Sequence, residues 1–283
     1  METNKVWYVT GASKGLGLSL VKQLLNKGHK VAATSRKLED LQKAVSPESE
    51  NFLPLAVDIR SEASVEDSIT RTISKFGRLD VVVNNAGYGL VGSLEELSDQ
   101  ESRENFEVNV FGLLNVVRKA LPQLREQKAG HIINIASIAG FSGLFPGFGI
   151  YCATKFAVHG LTESLAAEVK GFGINTTLVS PGYFRTDFLT SGSLSTPANP
   201  LDAYKEVRET QQMHQEHING NQPGDPEKAV EVIIRASEST NPPLHLFLGE
   251  DSYQLAQDKI RLLNKDLEDW KDLATNTSFE LVK

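Results

Sequence analysis

Seven short apolar runs, most of them followed by a stretch of helical periodicity, limit this chain more than any other feature. Val6–Thr10, Val31–Thr34, Phe52–Ala56, Leu79–Asn84, His131–Ala136, Asn175–Ser180 and Leu244–Leu248 are mostly rich in Val, Ile or Leu. Near-continuous apolar runs of this length mark strands covered on both faces, whereas a strand with one wet face alternates. Amphipathic patterns occupy residues 16–27, 62–76, 101–127, 153–170 and 226–238. Repeated strand–helix units feed a parallel sheet with helices on both sides. The expected fold is therefore α/β, a doubly wound parallel sheet of the Rossmann type whose ligands bind beyond the carboxyl ends of the strands. At 283 residues the chain suits one such domain, 1–283. Two parts depart from the rhythm. Residues 188–225 combine a Ser-, Thr-, Gly- and Pro-rich loop with a polar helix pattern over 201–218, an insertion placed to cover a substrate. Residues 250–283 read as a C-terminal helix and tail.

The first strand runs into Thr10-Gly11-Ala12-Ser13-Lys14-Gly15-Leu16-Gly17, after which an apolar helix begins. Glycines permit a tight turn and a close approach of backbone to a pyrophosphate, and the helix N-terminus adds free N–H groups and a favourable dipole. A fold of this kind that prefers NAD carries Asp or Glu at the end of its second strand, to bond the ribose hydroxyls. Here Ser35 stands in that place and Arg36 follows it, with Lys14 a second cation inside the turn. A carboxylate would repel a 2′-phosphate, and a guanidinium binds one through charge-assisted bonds. The expected cofactor is NADP(H).

Composition narrows the partners. The net charge of −7 argues against nucleic acid, whose phosphates favour a basic surface. A single cysteine, Cys152, forbids an intrachain disulfide and suits a reducing compartment. The N-terminus lacks the pattern of a signal peptide, and no run approaches the roughly 18 apolar residues of a membrane span. The expectation is a cytoplasmic protein with no membrane partner.

The glycine turn has three residues between its first two glycines. With Asn84-Asn85-Ala86-Gly87, Ser137 and Tyr151-Cys152-Ala153-Thr154-Lys155 it resembles the compact short-chain dehydrogenase/reductase family over residues 5–190. Asp58, Asn109 and Pro181-Gly182 match in the same order. Val6-Trp7-Tyr8-Val9, Thr34-Ser35-Arg36 and the late Leu244–Gly249 strand with its helix resemble the carbonyl reductases akin to 17β-hydroxysteroid dehydrogenases. Ser137 and Tyr151 lie 14 positions apart, one more than is commonest, and the extra residue falls in the loop Phe141–Ile150.

Carbonyl reduction needs a hydride on carbon and a proton on oxygen. The nicotinamide supplies the first, so the protein must supply an acid. Tyr151 and Lys155 are one helical turn apart and point along one face. An ammonium beside a phenol favours phenolate, and lowering a phenol from about 10 to about 7 takes about 4 kcal/mol. The resemblance implies that Tyr151 is the proton donor and that Lys155 also holds the nicotinamide ribose. Ser137 would bond the substrate oxygen, and Asn109 a water that links Lys155 to solvent. It further implies adenine contacts at Asp58 and Ile59, and a surface for the cofactor at Asn85, Ala86 and Gly87. Pro181 and Gly182 would pass the nicotinamide, with Thr186 bonding its carboxamide.

Phe145, Phe184 and Phe188 are candidate substrate contacts, with Phe141, Leu144, Phe148, Leu189 and Met213 near them in sequence. An apolar wall of this kind suits a fairly bulky ketone or alcohol, aryl or steroid-like. Arg185 is a candidate for a substrate carboxylate. His214 and His217 have the spacing of a metal pair, yet lack a third ligand and read as solvated histidines. Cys152 reads as a small buried residue. The rivals to a reductase are a silent NADP-binding regulator on the same fold, an NAD-dependent alcohol dehydrogenase and, last, a scaffold. The family resemblance implies a homodimer or homotetramer through 101–127 and 153–170, where Leu113, Leu114, Val117, Leu121, Ala157, Leu161 and Leu165 face either a partner or the sheet.

Overall fold

The computed structural model describes residues 4–45, 49–190 and 192–279. All seven expected strands form: β1 (Val6–Val9), β2 (Lys30–Ser35), β3 (Phe52–Ala56), β4 (Val81–Asn84), β6 (Gly130–Ile135), β7 (Ile174–Pro181) and β9 (His245–Leu248). They make one parallel sheet in the order β3-β2-β1-β4-β6-β7-β9. A second, two-stranded sheet pairs β5 (Gly89–Leu90) with β8 (Leu194–Ser195). The strand order reverses between β1 and β4, and a crevice for ligands opens at their carboxyl ends.

Alternate residues of each strand enter different layers. Tyr8, Ala32, Val82, Ile132 and Leu178 pack on one side with α3 (Glu62–Phe76), α5 (Gly112–Gln127) and α6 (Gly149–Val169). Trp7, Val9, Val31, Ala33, Val83 and Ile133 pack on the other with α1 (Gly15–Asn26), α2 (Leu38–Ala44) and α8 (Pro226–Glu238). Burial on both faces is why these strands read as unbroken apolar runs. Helix ends follow local chemistry. Ser61 caps α3, and Gly77 closes it at φ +81°. Asp225 caps α8 ahead of Pro226 at its first turn.

Three helices differ from the periodicity. The expected helix 101–127 is α4 (Asp99–Phe106), a π-turn over Glu107–Phe111 and then α5. Ser98 and Glu101 form a reciprocal capping box that starts α4 before the expected residue. The pattern 201–218 divides into α7 (Lys205–Gln212) and a second π-turn, Met213–Ile218. In α2 only Leu41 is buried, so no stripe existed to read. The last helix, α9 (Glu250–Thr275), extends past the sheet. Among the described residues no helix is long and apolar enough to cross a membrane.

Candidate active site

At the end of β1 the chain turns through Gly11 and Gly15 at φ +64° and +58°, a left-handed region that glycine alone enters without strain. A Cβ on Gly11 would lie 2.7 Å from the Cα of Ala86, and one on Gly17 2.5 Å from Asn85 Nδ2. Asn85 braces the turn by donating to Thr10 O and Gly11 O, both at 3.0 Å. The Thr10 hydroxyl accepts from the Asn85 and Ala86 N–H groups at 3.0 and 3.1 Å. The result is a backbone cradle at the N-terminus of α1, the arrangement that binds a pyrophosphate. Gly11→Ala combines backbone strain with overpacking and is expected to cost about 2–4 kcal/mol. A drop of several degrees in the unfolding temperature, with lost cofactor affinity, is the check.

From this cradle a cleft of about 540 Å³ runs across the carboxyl ends of the strands, lined at one end by Ser35, Arg36, Asp58, Ile59 and Arg60. Arg60 clasps Asp58, Nη2 to Oδ2 at 2.7 Å and Nε to Oδ1 at 2.9 Å. Those bonds hold the Asp58 carboxyl below its ordinary range, with the charges of Arg60 and Arg36 adding to the effect. Two guanidiniums therefore flank Ser35's end of the cleft. No motif pointed to Arg60; its signal is two positions past Asp58. Lys14 also lines the cleft, but its Nζ donates to Gly192 O at 2.9 Å, tying the turn to the loop after β7. The side chain of Ile59 packs where a Gly112 Cβ would sit, so it also fixes α5.

Further along, the cleft is lined by Ser13, Leu16, Asn85, Ala86, Gly87, Pro181, Gly182 and Thr186. Thr186 Oγ1 accepts from Phe188 N at 3.4 Å, and Gly15 faces its side chain. A Cβ on Gly182 would meet the Asp251 carboxylate at 2.2 Å, and Asp251 accepts from Tyr183 N at 2.7 Å. The start of α9 thus shapes the Pro181-Gly182 corner.

Ser137, Tyr151 and Lys155 come together in the middle. Ser137 leaves β6 and caps a 3₁₀ turn, its Oγ accepting from Ala139 N at 3.1 Å, and its hydroxyl favours the phenolate form of Tyr151. Tyr151 and Lys155 project from one face of α6, with Lys155 Nζ 5.8 Å from the Tyr151 ring centroid and 3.1 Å from Ile135 O. Burial raises the Tyr151 phenol well above the ordinary range, against the smaller lowering effect of the Ser137 side chain. The expected value near neutrality is therefore absent from the protein alone. Lys155 is itself desolvated, which lowers its ammonium to about 8.

That burial has a pH signature. Between about pH 8 and 10.5 the unfolded chain keeps a proton on this lysine that the folded chain has lost. Stability contributed at this position therefore rises with pH across that window, and below it the full penalty stands. Lys155→Met, which also forfeits the Ile135 bond, is expected to stabilise the fold by about 2 kcal/mol at pH 7. The gap to wild type should close towards pH 10.5 in paired urea titrations.

Asn109 sits in the π-turn, its Oδ1 accepting from Tyr88 N at 3.0 Å and its Nδ2 donating to Tyr88 O at 3.0 Å and Thr154 Oγ1 at 3.1 Å. A Cβ on Gly87 would lie 3.0 Å from Asn109 Oδ1 and 3.6 Å from Lys155 Nζ, so the asparagine stands next to the lysine. Its side chain joins three segments, which accounts for its complete burial within the fold. His159, one turn beyond Lys155, bonds the Ser137 backbone and Ser180 Oγ, the latter at 3.1 Å. It steadies the serine and carried no motif of its own.

Beyond Tyr151 the cleft is lined by Phe145, Phe148, Phe184, Phe188 and Leu189, with Tyr183, His214 and Gln222. Segment 188–225 thus contributes part of this wall. His214 is buried, not solvated. Its Nδ1 faces Thr210 O at 2.7 Å, which makes Nδ1 the donor and Nε2 the acceptor of the Tyr183 hydroxyl at 2.8 Å. His217 is exposed, so the two histidines do not form a pair. Both polar atoms of the Gln222 amide are buried with no hydrogen-bond partner among the described residues. Arg185 donates to the Gln222 carbonyl at 3.1 and 3.2 Å and is committed to that loop. Leu144 and Met213 are 72% and 50% exposed and leave the wall, because their loop and π-turn point them outward. Phe141 instead stacks on His159 and meets Phe247 edge-on. Cys152 is buried, its thiol pushed up to about 11, and is no nucleophile.

The model of the short chain dehydrogenase family matches residues 5–195. A 3-ketodihydrosphingosine reductase of Bacteroides thetaiotaomicron is 36% identical over 246 residues, 85% of this chain and 86% of that protein. A short-chain dehydrogenase from Streptomyces avermitilis has a crystal structure with a TM-score of 0.90 at 35% identity, covering 98% of this chain and all of that one. The NADP-bound structure of ElxO has a TM-score of 0.71 at 28% identity, covering 87% of this chain and 97% of that one. With the glycine cradle, the Ser137, Tyr151 and Lys155 cluster and the seven-stranded parallel sheet all in one molecule, the chain belongs to the short-chain dehydrogenase family and is an oxidoreductase.

Proposed function

We propose that the protein is an NADPH-dependent carbonyl reductase for an apolar, fairly bulky ketone or aldehyde, working in reverse on the matching alcohol, secondary in the case of a ketone. The observation that carries this reading is the convergence of Ser137, Tyr151 and Lys155 on one wall of a cleft continuous with the glycine cradle, with Lys155 Nζ 5.8 Å from the Tyr151 ring. The cofactor fits the chain, because a Cβ at Gly11 or Gly17 would fill the cradle. Gly11, Gly15 and Gly17 with the first turn of α1 would hold the pyrophosphate, and Arg36, with Arg60 beside it, the 2′-phosphate. When bound, NADPH supplies the hydride.

The chain's own residues handle the proton. Tyr151 is protonated at neutral pH, as a donor must be, and its hydroxyl delivers a proton to the substrate oxygen while Ser137 bonds the same oxygen. Lys155 stands behind the ring, where its ammonium stabilises the phenolate that forms. The aromatic wall excludes water and favours apolar substrate. The reductase from Bacteroides acts, by its name, on a long-chain ketone, which is in keeping with that wall.

The test is cofactor oxidation by purified protein against a panel of ketones and aldehydes, with NADPH and NADH in parallel. Turnover with NADPH, ranked by apolar bulk, is the expected result. Tight NADPH binding without turnover on any member would instead indicate a silent regulator, and a preference for NADH would overturn the role of Ser35 and Arg36.

A further inference from the structure

The C-terminal helix α9 carries more apolar surface than its own domain covers. Its first turns are held: Ser252 and Ala256 are buried, and Ser252 Oγ donates to Ser180 O at 2.7 Å. From Ile260 onward every described residue is exposed. Leu267 and Trp270 are 69% and 64% exposed, a large loss of hydrophobic burial for one helix. In proteins most helical stability comes from packing of an amphipathic face, and beyond Ile260 this helix packs none of its described residues into the domain.

Those residues are not scattered. Ala256, Ile260, Leu263, Leu267, Trp270 and Ala274 follow one another at alternating intervals of four and three. That is the seam of a left-handed coiled coil, with Ile260, Leu267 and Ala274 at a positions and Leu263 and Trp270 at d. The stripe that docks α9 on the domain at Ala256 continues without a break onto the free part. On the expected interface helices Leu113, Val117 and Leu165 are buried against their own sheet, and the large apolar side chains left open there, Phe111 and Phe156 at 47% and 44%, are less exposed than Leu267 and Trp270.

We propose that α9 pairs with α9 of a second copy of this chain as a parallel, in-register coiled coil. The flanking charges select that partner and direction. Asp266 at g and Lys271 at e lie five residues apart, the g-to-e′ spacing at which each faces its opposite in a parallel pair. An antiparallel pair centred on Leu263 and Leu267 would set Asp266 against Asp266. Neither residue takes part in an ion pair among the described residues, whereas the outward Asp258–Arg261 and Lys265–Asp269 pairs close within the helix. A lipid surface is the poorer partner, since residues 257–275 carry four cations against five anions and interfacial helices favour a basic polar face.

The full-length protein tests this by sedimentation and cross-linking. Leu267→Lys combined with Trp270→Glu should halve the mass of the assembly with little change in NADPH turnover per chain. Asp266→Lys should weaken association at least tenfold, and adding Lys271→Asp should restore it. Cys152 is buried, so Leu267→Cys introduces a single accessible thiol. Oxidation should link two chains at that position if the helices run parallel and in register. An unchanged mass in the double variant, or no cross-link in Leu267→Cys, would overturn the proposal. So would a wild-type chain that is monomeric at micromolar concentration and sediments with phosphatidylserine vesicles.

Discussion

Tyr151→Phe should reduce turnover by about 10²–10⁴-fold, the range that a positioned general acid contributes, while NADPH binding is retained. The substitution removes one oxygen and little else. The ring keeps its edge contact with Phe148 and its tilted contact with Phe188, at centroid distances of 6.1 Å each, and its place beside Lys155. Ser137 keeps its second job of capping the 3₁₀ turn through Ala139 N. The fold therefore has no reason to collapse, and removing a buried hydroxyl from an otherwise apolar wall is mild. Single-turnover measurement of NADPH oxidation separates the chemical step from binding, and a fluorescence titration reads affinity in the same variant. Turnover within tenfold of wild type would mean that water or another group supplies the proton, and the assignment of the acid would fall.

The second large effect concerns the other end of the cleft. Arg36→Asp should lower kcat/KM for NADPH by about 10²-fold or more, chiefly through KM. Two charge-assisted bonds to a phosphate contribute about 1.5–3 kcal/mol each, discounted here because the site is open to solvent, and the new carboxylate adds repulsion. The same carboxylate can accept bonds from ribose hydroxyls, so NADH should gain and the preference invert. Arg60→Ala should have a smaller effect on NADPH, since that guanidinium is already engaged with Asp58. Losing it frees the Asp58 carboxyl from its strongest lowering influence, so that carboxyl returns towards its ordinary range. If Arg36→Asp leaves NADPH kinetics unchanged, the phosphate is held elsewhere and Lys14 becomes the next residue to replace.

Much of this architecture was legible in the residues alone. A strand buried on both faces writes an unbroken apolar run, so the seven strands of the main sheet could be read directly, and their alternation with helices implied the parallel doubly wound order. The cradle was legible because glycine is the residue most favoured in the left-handed conformation found at Gly11 and Gly15. Tyr151 and Lys155 were legible because four residues on a helix bring two side chains to one face. Local rules suffice for each of these. They fail where the deciding contact spans the chain. The π-turns at Glu107–Phe111 and Met213–Ile218 change a turn by a single residue, which no apolar pattern records. Strands of two residues, β5 and β8, have no periodicity at all. Lys14 meets Gly192 across 178 positions, and Tyr183 meets His214 across 31, so the fate of each side chain depended on where a distant loop came to rest. The phenol of Tyr151 shows the same division. Its neighbour and its role followed from spacing, but the direction of its titration followed from burial, and burial is a property of the assembled fold.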